Sequence, residues 1–118
     1  MGVIGIGWMG RVHAAACKRA RALPRPGRPA AARRRLRRQP GAPPACELMA
    51  FERSVEDWRA VVDDPAVDVI SVTTPNVLHR EIATAVAEAG KHLWVEKPVG
   101  RGVEETPAVA DRVARPAW

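Results

Sequence analysis

The spacing of hydrophobic and polar positions changes several times along the chain, and each change predicts an element. Val3, Ile4 and Ile6 form a short apolar run that predicts a strand over residues 3–6. A small-residue helix is expected next, with Val12, Ala15, Ala16, Arg19, Ala20 and Leu23 on its packing face and Pro24 as its stop. Ser54-Val55-Glu56-Asp57 fits a capping box before a helix that turns Val55, Trp58, Val61 and Val62 inward, and Asp64-Pro65 closes it. Residues 67–73 alternate around apolar positions and predict a buried strand, followed by a Thr74-Pro75-Asn76 turn. A helix over 77–89 carries Leu78, Ile82, Ala85, Val86 and Ala89 on one face, with Gly90 as its C′ stop. His92–Val95 is the next expected strand, ending at Glu96-Lys97-Pro98. A loop over 100–102 and a helix over 103–114, compromised by Pro107, complete the pattern. Strands alternating with helices predict an α/β fold with parallel strands and right-handed crossovers. The strands at 3–6, 67–73 and 92–95 are expected in the order 1-4-5 of a partial doubly wound sheet.

Residues 24–46 break this grammar. They hold six Pro and seven Arg, with no β-branched or aromatic residue. No buried strand can be written from them, because proline breaks a ladder and unpaired arginine stays out of a core. Residues 29–39 allow either a short exposed helix or disorder. The first strand's outer edge is then bare, and a bare apolar edge invites self-association, so a homo-oligomer is expected. The charge is as uneven as the pattern. Residues 1–46 carry 11 Lys/Arg and no Asp/Glu, whereas residues 47–118 carry 8 Lys/Arg and 13 Asp/Glu, for a net +6.

At 118 residues and 47% hydrophobic content the chain suits about one globular domain. It holds no apolar run near the ~18 residues of a membrane span, and its glycine-broken start lacks the basic region of a secretory leader. Cys17 and Cys46 have no C-x-x-C spacing and read as reduced thiols of a cytoplasmic protein. His13, His79 and His92 are far apart, so no metal site is expected, and His13 reads as a packing or solvent-facing residue.

The chemistry gathers at the carboxyl ends of the strands, where open α/β sheets bind ligands. Gly5-Ile6-Gly7-Trp8-Met9-Gly10 matches G-x-G-x-x-G between a strand and a helix. In that context the first glycine permits the tight turn, the second lets backbone approach a pyrophosphate, and the third allows close helix–strand packing. Thr73-Thr74-Pro75-Asn76 and Glu96-Lys97-Pro98 fall at the other two strand ends, so all three clusters share one sheet edge.

These residues resemble the N-terminal domain of the Gfo/Idh/MocA oxidoreductases. The matching stretches are Val3 to Gly10, Val67 to Asn76, His79, and Ala89-Gly90-Lys91-His92 running into Glu96-Lys97-Pro98. The resemblance covers residues 1–23 and about 47–112, and Glu-Lys-Pro in register after a strand is its most specific part. It implies an incomplete Rossmann domain over 1–118 that binds NAD or NADP and serves an oxidoreductase acting on a sugar, polyol or related hydroxyl/carbonyl substrate. It implies that Gly5, Ile6, Gly7, Trp8, Met9 and Gly10 hold the cofactor, with Thr74, Pro75, Asn76, His79 and Glu96 along it. Lys97 would reach the nicotinamide ribose and the substrate hydroxyl as the catalytic cation, oriented by Glu96.

Two departures from the family pattern bear on function. The strand expected roughly 20 residues after the glycines should end in an acidic residue for the ribose 2′-hydroxyl, yet nothing acidic precedes Glu47. Residues 24–46 read as out-of-frame translation of a GC-rich stretch, with a Val/Ile-rich strand expected in another frame. The family's substrate domain is absent, so the chain reads as a cofactor-binding half that should not turn over substrate efficiently. Two other classes compete with the enzyme reading. One is a non-catalytic NAD(P)-responsive or partner-binding domain. The other is a nucleic-acid-binding module through the basic run 33–38, opposed by the lack of interleaved aromatics.

Overall fold

The computed structural model describes residues 1–22, 37–38, 49, 51 and 53–113. Three strands, β1 (Gly2–Ile4), β4 (Val69–Val72) and β5 (His92–Val95), form a parallel sheet in the order β1-β4-β5. Gly2 is in register with Ile70, Ile4 with Val72, and Val72 with Val95. The doubly wound order expected from the sequence is therefore present. Between β1 and β4 come α1 (Trp8–Ala22), β2 (Arg37–Arg38), β3 (Arg53–Ser54) and α2 (Arg59–Val62). After β4, a 3-10 turn (Asn76–Leu78) leads into α3 (His79–Glu88), and α4 (Glu105–Val113) follows β5.

β1 and β4 are covered on both faces, which is why they read as nearly continuous apolar runs, whereas β5 leaves His92 and Trp94 exposed on one face. Successive side chains alternate faces. Ile4, Ile70 and Val72 join Val61, Val62, Val67, Ile82 and Val86 on one side. Val3 joins Met1, Ala14, Met49 and Phe51 on the other.

Several expectations are corrected. On α1 the buried residues are Gly10, His13 and Ala14, with Cys17 half-buried, while Val12 is 43% exposed and Ala15, Ala16 and Arg19 face out. The reason is Gly10, which must back onto the carbonyl of Gly5; from there the helical period selects 13, 14 and 17. The capping box does not form, because Ser54 belongs to β3 and the Asp57 carboxylate accepts the Arg59 N–H at 2.9 Å. Residues 76–78 form a 3-10 turn and the α-helix starts at His79, so Leu78 is 37% exposed and His79, Ala83, Ile82 and Val86 form the inner face. Pro107 does not compromise α4. It sits in the first turn, where no helical acceptor waits for its missing N–H.

The end of α3 is as expected. Gly90 has φ 64°, Lys91 N–H donates to Val86 O at 3.1 Å, and Gly90 N–H donates to Ala87 O at 3.0 Å, a Schellman stop.

Residues 24–36 and 39–46, with most of the expected 29–39 helix and of the basic run 33–38, lie outside the described residues. Within this tract Arg37 and Arg38 make a two-residue strand, β2, parallel to β3. β2 lies beside β1 without joining its ladder. β1 is therefore the edge strand of the three-stranded sheet, as the sequence leads one to expect. Among the described residues, no helix is long and apolar enough to cross a membrane.

Candidate dinucleotide-binding site

The β1–α1 turn forms one wall of the site, and its three glycines serve three different needs. Gly5 has φ 90°, and a side chain there would meet the Thr73 and Thr74 backbone at 2.7–2.8 Å. At Gly10 a side chain would collide with Gly5 O. Protein packing thus accounts for both. At Gly7 an added Cβ would meet no atom of the described residues within 4 Å. Its lack of a side chain is unexplained by the protein itself and leaves open backbone for a close ligand. The helical ladder begins with Arg11 N–H to Gly7 O at 3.1 Å, so the amides of Trp8, Met9 and Gly10 precede it, and the first turn holds no acidic residue. Such an end favours an anion.

Thr73 joins this wall to β4. Its N–H donates to Ile4 O at 2.8 Å and its hydroxyl to Gly5 O at 2.5 Å. Facing the turn is a cleft of about 490 Å³ lined by Trp8, Met9, Thr73, Thr74, Asn76, His79, Glu96, Lys97 and Pro98. This volume lies in the usual range of small-molecule sites. Trp8 is 78% exposed at its mouth.

The opposite wall is built by side-chain hydrogen bonds. His79, 1% exposed, reaches Pro98 O with Nδ1 and Thr74 O with Nε2, both at 2.8 Å. His13 reaches Ser71 Oγ with Nδ1 at 2.7 Å and Glu96 Oε1 with Nε2 at 3.0 Å, and Trp94 lies over its ring at 4.4 Å. Lys97 is exposed and precedes Pro98 through a cis peptide. The Thr74 hydroxyl is buried and has no hydrogen-bond partner among the described residues. An orphaned hydroxyl in the lining and a glycine the protein does not need both fit a polar ligand held between the walls.

The structure brings Trp8, Met9, Thr74, Asn76, His79, Glu96 and Lys97 into this one lining. Gly5, Gly7 and Gly10 shape the turn beside it. Ile6 packs instead against the Met1, Val3 and Ala14 cluster, and Pro75 stands in the turn outside the lining. Sequence reasoning placed Thr73 at the strand end without a role of its own, and it missed the tie from His13 to Glu96. A polar residue at a strand's carboxyl end, opposite the first glycine, was the available signal for Thr73.

A glycine turn at a helix N-terminus, at the carboxyl edge of a parallel sheet, defines a dinucleotide-binding domain. The chain belongs to the Gfo/Idh/MocA family: the family model described as an oxidoreductase family with an NAD-binding Rossmann fold matches residues 1–116. It is 42% identical over 120 residues to levoglucosan dehydrogenase of Pseudarthrobacter phenanthrenivorans, covering 96% of this chain and 30% of that protein. To the NAD(+)-dependent scyllo-inositol 2-dehydrogenase of Bacillus subtilis it is 34% identical over 71 residues, covering 57% of this chain and 21% of that one. The structure of levoglucosan dehydrogenase in complex with NADH and L-sorbose superposes with a TM-score of 0.83 at 39% identity, covering 98% of this chain and 31% of that one. The chain spans about 30% of the length of levoglucosan dehydrogenase.

Proposed function

We propose that this chain is the cofactor-binding portion of an oxidoreductase acting between a nicotinamide dinucleotide and a sugar, polyol or related hydroxyl/carbonyl substrate. The observation that carries the reading is Gly7, the one site glycine that packing within the protein does not require. When bound, the cofactor supplies hydride transfer. The chain's own residues bind and orient. The turn backbone and the α1 amides receive the pyrophosphate, and Thr74, Asn76 and His79 line its path. Lys97 places an ammonium at the cleft wall, where it stabilises negative charge developing on the substrate oxygen. Glu96, itself held by His13, fixes the segment that carries Lys97.

The missing acidic residue before Glu47 removes the usual selection against a 2′-phosphate, and arginines accept one readily. NADPH is therefore expected to bind alongside NADH. Titrating both against tryptophan emission tests this, because Trp8 stands at the mouth of the cleft. Saturable quenching is expected. No change in emission or melting temperature at millimolar cofactor would sink the reading. Gly7→Ala supplies the sharper test: folding stability should hold while affinity drops, since the added methyl meets only ligand.

A further inference from the structure

His79 lines the cleft and His13 holds Glu96, which also lines it; both histidines are almost fully buried, and each uses both ring nitrogens. Their partners differ in a way that decides their protonation. The Glu96 carboxylate accepts from His13 Nε2–H, and the Ser71 hydroxyl can donate to a bare Nδ1, so a neutral ring satisfies every group. His79 faces two backbone carbonyls, Thr74 O and Pro98 O, each at 2.8 Å. A carbonyl oxygen only accepts. A neutral imidazole would satisfy one and turn a lone pair towards the other at contact distance. Only a ring with hydrogen on both nitrogens bonds both.

We propose that His79 is an imidazolium strut. Its two N–H groups tie the turn after β4 to the segment after β5, and its charge lies in the cleft wall as a fixed attraction for an anionic dinucleotide. The strut acts through its neighbour. Pro98 directly follows Lys97, so holding Pro98 O fixes the backbone from which the Lys97 ammonium projects. His79 is a positioning residue for that lysine. Charge-assisted donors bond more strongly than neutral ones, and two of them converging on one ring set the separation of the two segments. The ligand named here rests on the cofactor reading above; the protonation of His79 does not.

The test begins with the intact chain labelled with 15N-histidine, which has only three histidines to assign. Long-range proton–nitrogen correlation at neutral pH should show both His79 nitrogens protonated and His13 with one protonated and one bare. A bare nitrogen at His79 overturns the proposal, whether or not the chain binds cofactor. The second measurement uses His79→Gln, whose single amide nitrogen cannot span both carbonyls. Losing a charged hydrogen-bonded tie should weaken NADH binding about tenfold in protein that still melts cooperatively. Unchanged affinity in folded His79→Gln overturns the positioning role. Wild-type protein that fails to bind NADH while His79 shows two N–H groups would remove the cofactor reading and leave the strut standing.

Discussion

The two walls of the cleft are made of different material. The glycine wall is backbone: its shape follows from a positive φ at Gly5 and from the space that Gly5 and Gly10 leave for their neighbours. The facing wall is a lattice of side-chain hydrogen bonds in which His79 and His13 join segments 5 to 83 residues apart. Backbone sterics tolerate no substitution but need no partner. A hydrogen-bonded lattice tolerates substitutions that keep a donor in place, and it fails when a buried acceptor is stranded. The first wall should therefore break completely, and the second by degrees.

The largest effect is expected at Gly5→Ala. A left-handed backbone and a collision with the Thr73–Thr74 peptide act together, at a cost of about 2–6 kcal/mol, read as a shift in urea midpoint. Near-native stability would show that the turn can relax and would erase the contrast. Next is His79→Leu, which removes the donor to two part-buried carbonyls, at about 0.5–1.5 kcal/mol each. A loss well below that would mean the carbonyls find other donors. His13→Leu should cost about 1–3 kcal/mol, because it leaves the Ser71 hydroxyl and the Glu96 carboxylate without their shared partner. A double-mutant cycle with Glu96→Gln should show coupling between the two sites, and additivity would deny the tie. Least of all should come from Glu105→Gln, outside both walls. The backbone amide and then the side chain of Arg101 hold this carboxyl below the usual carboxylate range. A depressed carboxyl stabilises above its unfolded value, and that contribution fades as pH falls through the lowered one. The group is on the surface and screened, so the change at neutral pH should fall below the resolution of a urea melt, with NADH affinity untouched.

The same division explains what could be read from the chain. The glycine turn, the three strands and the Gly90 stop were legible because each rests on a local requirement: a φ value, a period, a missing side chain. The buried face of α1 was not. Ala14, Ala15, Ala16 and Ala20 surround the helix with small residues, so hydrophobic contrast is weak, and the choice of face waits on Gly10 meeting Gly5 O. The capping box failed for a similar reason. Ser54 can cap a helix or lie in a strand, and pairing with β2 decides between them. Arg37 and Arg38 show the limit most plainly, since nothing in their own propensities asks for a strand.

By itself the sequence determined that this is a parallel α/β domain with a glycine turn, a Thr-Pro-Asn turn and a Glu-Lys-Pro end on one sheet edge. Local sterics and apolar periodicity suffice for that, because they act over a few residues. Only the tertiary structure decided that His79 spans two carbonyls, that His13 joins Ser71 to Glu96, and that Gly7 alone among the site glycines faces open space. Those facts depend on which donor meets which acceptor across the fold, and hydrogen bonding between distant segments leaves no periodic trace in the chain.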